Sequence, residues 1–130
     1  MRNEAFLVGI SQYPDHTIGG IPNDLELLAL ALQQRNYPKA AIHVFNDTHT
    51  TLAELYALLA QIQTAYRDVA NGSCYLHIGA SGTLSIDPIR GGVLPRDGDL
   101  SNFETALPFA ALNEYLPIRP GVQVTLTIDT

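Results

Sequence analysis

An α/β domain, a mainly parallel sheet in three layers with helices on both faces, is predicted by three features of the sequence. Apolar strand-like runs alternate with helical leucine stripes in the order strand, helix, strand, helix, strand, loop, helix, strand, the pattern of a parallel sheet joined by right-handed crossovers. The runs at 5–10 (Ala-Phe-Leu-Val-Gly-Ile) and 75–78 (Tyr-Leu-His-Ile) are nearly continuous rather than alternating, as strands covered on both faces are. The length of 130 residues suits one domain that buries roughly two-thirds of the surface its unfolded chain exposes.

The first strand, 5–10, ends at Ser11, and a loop rich in Gly, Pro and Asp follows from Gln12 to Pro22. Asn23 reads as a helix cap with Glu26 as its capping-box partner, and Leu25, Leu28 and Leu32 share one helical face. Asn36-Tyr37-Pro38 ends that helix, because proline disfavours helical geometry in the residue before it. A second strand spans 41–45 and closes on the polar turn Asn46-Asp47-Thr48. From Thr51 to about Val69, Leu52, Leu55, Tyr56, Leu59, Ile62 and Tyr66 form a helical stripe, with Thr51 and Glu54 as a capping box and Asn71-Gly72 as the stop. The third strand then runs into the glycine-flanked turn Gly79-Ala80-Ser81-Gly82. Residues 84–102 read as loop, broken by Pro88, Gly91-Gly92, Pro95 and Gly98, with a brief strand at 92–94. A short third helix is expected from about Pro108 to Tyr115, a turn between Pro117 and Pro120, and a last strand over 122–128.

Composition narrows the function. Thirteen acids stand against seven basic residues scattered along the chain, a formal charge of −6, so a nucleic-acid partner is excluded for want of a basic patch and a basic peptide or protein partner is favoured. Apolar runs fall short of the roughly 20 residues of a membrane helix, and Met1-Arg2-Asn3-Glu4 leads straight into a strand rather than a signal peptide, so no membrane contact and a cytoplasmic setting are expected. Cys74 is the single cysteine, so no disulfide framework and no thiolate zinc cluster is expected. His16, His43 and His49 show no ligand spacing, and the turn at 79–83 lacks the Gly-Lys-Ser/Thr ending of a phosphate loop; no metal and no cofactor is assigned.

The turn after the third strand is the expected site, since ligands and catalytic groups of open α/β sheets collect at the carboxyl ends of the strands. Ser81 invites comparison with the nucleophile elbow of α/β-hydrolases, but Gly79-Ala80-Ser81-Gly82-Thr83 lacks the last glycine, runs into loop, and is followed by no suitable histidine and acid in order. His77 is read as facing a helix layer and Cys74 as a small buried hydrophobe at the far end of the strand. Asp24 is an acid in a helix's first turn, favourable against the dipole without further reason. Asp97 and Asp99 add acidity to the loops.

Phe6-Leu7-Val8-Gly9-Ile10-Ser11-Gln12-Tyr13, Ile18-Gly19-Gly20-Ile21-Pro22-Asn23-Asp24, His77-Ile78-Gly79-Ala80-Ser81-Gly82-Thr83 and the stretch Gly121 to Asp129 follow one another as the landmarks of a known family do, with Leu94-Pro95-Arg96-Asp97 a weaker match between the last two. In that order the chain resembles the large-subunit half of a caspase-like cysteine peptidase, of the metacaspase and bacterial caspase-homologue branch. The resemblance implies a His–Cys dyad, in which a thiolate attacks the scissile carbonyl and the histidine handles the leaving group's proton. Ser81 stands at the family's histidine position and the cysteine position falls immediately after Thr130, so this chain carries neither member. The resemblance also implies that Asp24 lines a pocket for a basic side chain, and Asp97 and Asp99 are read as loop acids that add acidity to the same cleft. Residues 1–130 are thus expected to be one caspase-like domain, incomplete at its C-terminus. Three roles follow: a pseudo-peptidase or regulatory binding module; an endopeptidase preferring basic residues whose cysteine lies beyond Thr130; or an assembly module that pairs or self-associates through its last strand.

Overall fold

A computed structural model of the chain describes residues 1–85 and 90–130. The main sheet has four parallel strands, β1 (Arg2–Gly9), β2 (Ile42–Asn46), β3 (Gly72–Gly79) and β7 (Val122–Asp129), in the order β2-β1-β3-β7. Helix α1 (Ile21–Gln34) covers one face, and α2 (Leu52–Tyr66) and α3 (Phe109–Tyr115) the other. Three short antiparallel strands, β4 (Gly82–Ser85), β5 (Arg90–Val93) and β6 (Leu107–Pro108), form a second small sheet. The predicted α/β class with helices on both faces is the observed one.

The pleat divides the core. On β1, Ala5 and Leu7 meet Ile21, Leu25 and Leu32 of α1, while Phe6 and Val8 join Leu76 and Ile78 of β3 under α2 and α3. This two-sided burial is why both central strands read as unbroken apolar runs. The helix α2 is secured at both ends. At its N-terminus the Thr51 hydroxyl accepts the Glu54 N–H at 3.3 Å, and the Glu54 carboxylate accepts the Thr51 N–H at 3.4 Å, so the predicted capping box forms. At its C-terminus the Arg119 guanidinium donates to the carbonyls of Tyr66 and Arg67 and, just past the helix, of Val69, while the Val69 N–H also donates to the Tyr66 carbonyl at 3.2 Å.

Four boundaries differ from the sequence reading by more than one residue. Asn23 does not cap α1: the helix begins at Ile21, with Gly20 as its cap at φ +87° and no side-chain cap bond. Pro22 has φ preset for a first helical turn and lacks the N–H that would go unpaired there, so the helix starts three residues earlier. The strand β1 starts at Arg2, because its edge polar residues pair with β3 from Gly72 onward. The stripe over 51–69 ends as helix at Tyr66, and Thr51 is its cap rather than its first residue. The stretch 84–102 is not all loop: β4 and β5 pair antiparallel, and the strand expected at 92–94 lies at 90–93, while the breaker Pro88 lies outside the described residues.

Leu76 at the centre of β3 is 1% exposed, whereas Leu126, its register partner on β7, is 38% exposed. Leu76→Ala is expected to lower stability by about 2–5 kcal/mol, and Leu126→Ala by under about 1 kcal/mol, as read from urea unfolding midpoints.

Candidate functional site

The order β2-β1-β3-β7 places β1 and β3 side by side, while the chain leaving β1 crosses to β2 through α1 on one face and returns to β3 through α2 on the other. The loops leaving β1 and β3 therefore part in opposite directions, opening a crevice at their carboxyl ends. Two short polypeptide segments meet there, 11–18 after β1 and 79–82 after β3.

The first segment is closed on itself and anchored. The Tyr13 N–H donates to the His16 carbonyl at 2.9 Å and the Ile18 N–H to that of Ser11 at 2.8 Å. Asp47, at φ +62° just after β2, accepts the Ser11 hydroxyl at 2.5 Å and the N–H groups of Ser11 and Gln12 at 2.7 and 2.9 Å. Burial alone would raise the Asp47 carboxyl's pKa, but those donors outweigh it and hold it below the ordinary value.

Tyr13 then joins the two segments. Its hydroxyl accepts the Ser81 N–H at 3.0 Å and donates to the Leu94 carbonyl at 2.9 Å, and burial raises its pKa. The ring of His16 stacks on that of Tyr13, centroids 4.6 Å apart and 12° from parallel. So held, His16 places Nε2 3.0 Å from the Ser81 Oγ and Nδ1 2.7 Å from the Asp15 carboxylate. A carboxylate only accepts, so in neutral His16 the proton sits on Nδ1, leaving Nε2 as acceptor for the Ser81 hydroxyl. The bond from His16 holds the Asp15 pKa below the ordinary value.

A cavity of about 360 Å³ opens beside Ser81, walled by Ile18, Leu100 and Thr130 and by the carboxylates of Asp24 and Asp129. The structure thus brings Ser81 and Asp24 to one cavity. Asp97 does not line it: its Oδ1 accepts the Leu52 N–H at 2.9 Å, at the N-terminus of α2. Asp99 is engaged locally with the Ser101 N–H and hydroxyl, which hold its pKa low. His77 faces the α1 side of the sheet with Nδ1 2.7 Å from the Thr127 hydroxyl oxygen; burial lowers its pKa, opposed by Asp129 and Asp24. Cys74 is fully buried, and burial and the Glu4 carboxylate push its thiol up to about 12, the opposite of an activated nucleophile. Among the described residues no group of three or more His, Cys, Asp or Glu side chains is placed to hold a metal ion. No helix among them is long and apolar enough to cross a membrane.

Compared with models of known protein families and with curated proteins, the chain matches none.

His16 is the site residue the sequence reading missed. A partner for Ser81 was sought after it in the chain, whereas the fold returns one from 65 positions before it. The available signal was Tyr13-Pro14-Asp15-His16, an acid next to a histidine in the loop that leaves a central strand. Nor is Ser81 an elbow serine, since β4 rather than a helix follows it.

The depressed Asp47 pKa makes its contribution to stability pH-dependent. With the folded value below the ordinary 3.8, that stability is fully present above 3.8 and is lost as pH falls through the folded value. Asp47→Asn is therefore expected to be less stable than the parent at pH 7, the gap in melting temperature closing below pH 3.8; an unchanged gap at lower pH would contradict this role.

Proposed function

We propose that this chain is a caspase-like α/β domain, working in the cytoplasm, whose acidic crevice binds a basic peptide or protein segment without a cysteine–histidine dyad to cleave it. One observation carries the reading. The end of β3, where the resembled family has its catalytic histidine, holds Ser81 beside a cavity walled by Asp24 and Asp129. Supporting it, the loop after β1, the first turn of α1 and the ends of β3 and β7 converge at one end of the sheet, as that resemblance requires. A guanidinium or ammonium group entering the cavity gains charge-assisted hydrogen bonds to carboxylates on two exposed residues, an attraction that salt screens. The overall charge of −6 adds long-range attraction for a cationic segment.

Calorimetry with short peptides tests it. An arginine-ending peptide is expected to bind, more weakly as salt rises, and Asp24→Asn to weaken it about tenfold, the equivalent of roughly 1.4 kcal/mol. Equal binding of an aspartate-ending peptide would refute the reading.

A second reading, assembly by strand addition, is favoured by the far edge of the sheet. Among the described residues β7 pairs only with β3, and its other side borders an apolar groove of about 590 Å³ that includes Leu116, Val124 and Leu126, with Ile118 64% exposed. An unpaired, apolar strand edge is a template for another strand. On this reading light scattering shows association that rises with concentration and is abolished by Leu126→Lys; a monomer at every concentration counts against it.

A further inference from the structure

We infer that Ser81, His16 and Asp15 form a nucleophile, a general base and an orienting acid for acyl transfer, acting on activated esters of cationic acyl groups. The geometry has the parts such chemistry needs: the Ser81 Oγ lies 3.0 Å from the His16 Nε2, and Asp15 lies 2.7 Å from the opposite ring nitrogen. The imidazole is fixed by more than its two hydrogen bonds. Tyr13 stacks beneath it and holds the Ser81 backbone through its hydroxyl, so nucleophile and base are positioned by one buried side chain. Both reactive groups are partly exposed, and Ser81 faces the cavity at the crevice between β1 and β3.

The reaction begins as the Ser81 Oγ bonds to the acyl carbon while its proton passes to the His16 Nε2. The bond from that carbon to the leaving alcohol or phenol then breaks, and the leaving oxygen takes the proton from His16. Water attacks the acyl-Ser81 ester, giving one proton to His16, which returns it to the Ser81 Oγ as the carboxylic acid leaves.

The structure also limits the substrate. The Ser81 N–H is spent on the Tyr13 hydroxyl and cannot serve as an oxyanion donor, and loss of one such donor costs about 10²–10³ in rate. Esters with good leaving groups tolerate that loss and peptide amides do not, so this activity is compatible with a crevice that binds peptides uncleaved. The preference for a cationic acyl group rests on the acidic cavity of the proposed binding function; the nucleophile does not.

The test is labelling of the full chain by a fluorophosphonate, read by intact mass and peptide mapping, beside hydrolysis of p-nitrophenyl esters of protected lysine and of acetate. One adduct on Ser81 is expected. Ser81→Ala should abolish it, His16→Gln should slow it about a hundredfold or more, and Asp15→Asn about tenfold, with Asp15→Glu recovering most of the rate. The lysine ester should turn over faster than acetate, and Asp24→Asn should erase that difference. No adduct on a parent protein with an intact melting transition, or an adduct formed at the same rate with His16→Gln, would overturn the inference. Equal turnover of the two esters would overturn its cationic preference. Peptide binding measured on the same samples separates the two readings: peptide bound without labelling refutes this inference alone, and labelling without peptide binding refutes the binding function alone.

Discussion

The parallel pairing of β1 with β3, with the chain crossing between them on opposite faces of the sheet, is the constraint on which the rest of the molecule depends. Eight consecutive register pairs, Arg2 with Gly72 through Gly9 with Gly79, hold the two strands level. Because they end level, the backbone of one continues into hydrogen bonds with the other: the Ile10 N–H donates to the Gly79 carbonyl at 2.8 Å. A shift of one residue would turn Ala5 and Leu7 away from α1 and put Phe6 and Val8 in their place, so the two-sided core fixes the register and the register fixes where the loops emerge.

From that origin the crevice is assembled by a few polar side chains, the part-buried Asp47 and the buried Tyr13 foremost. Asp47, at the end of the neighbouring β2, draws in the start of the loop after β1, and Tyr13 ties the same loop to the turn after β3 and to Leu94 beyond β5. Ser11 and Tyr13 are almost wholly buried for this reason, although both belong to a loop. Buried loop backbone must find partners, and here a carboxylate and a phenol supply them. The outcome is a loop tied back to the sheet at Ser11 and Tyr13, with Asp15, His16 and Ser81 within hydrogen-bond distance in sequence.

The proposed binding and the proposed ester chemistry can share one crevice, because different atoms would carry each. On those proposals Asp24 and Asp129 set the charge of the occupant, and the Ser81 hydroxyl with His16 acts on a reactive carbonyl placed there. Tyr13 stands on both sides of this division: by taking the Ser81 N–H it stabilises the turn and removes an oxyanion donor from it. On the proposed ester chemistry, stability of the turn and catalytic power toward amides are opposed at that one hydrogen bond.

Local pattern alone determined the α/β class, the four parallel strands, the capping box at Thr51 and Glu54 and the buried stripe of α2, since burial periodicity and capping are properties of neighbouring residues. Tertiary structure decided what pairing at a distance decides. Gly20 and Pro22 compete locally with Asn23 for the start of α1, and the start at Ile21 places that residue, 8% exposed, in the core beside Ala5 and Leu7 of β1. The β4–β5 pair is invisible to periodicity, because short glycine-containing strands such as β5 acquire identity only from the strand opposite. Asp97, read as a cleft acid, was taken by the Leu52 N–H across 45 positions, and Ser81 acquired His16 across 65. A hydrogen bond depends on two atoms coming within about 3 Å, and only the path of the backbone through space brings together residues that far apart in the chain.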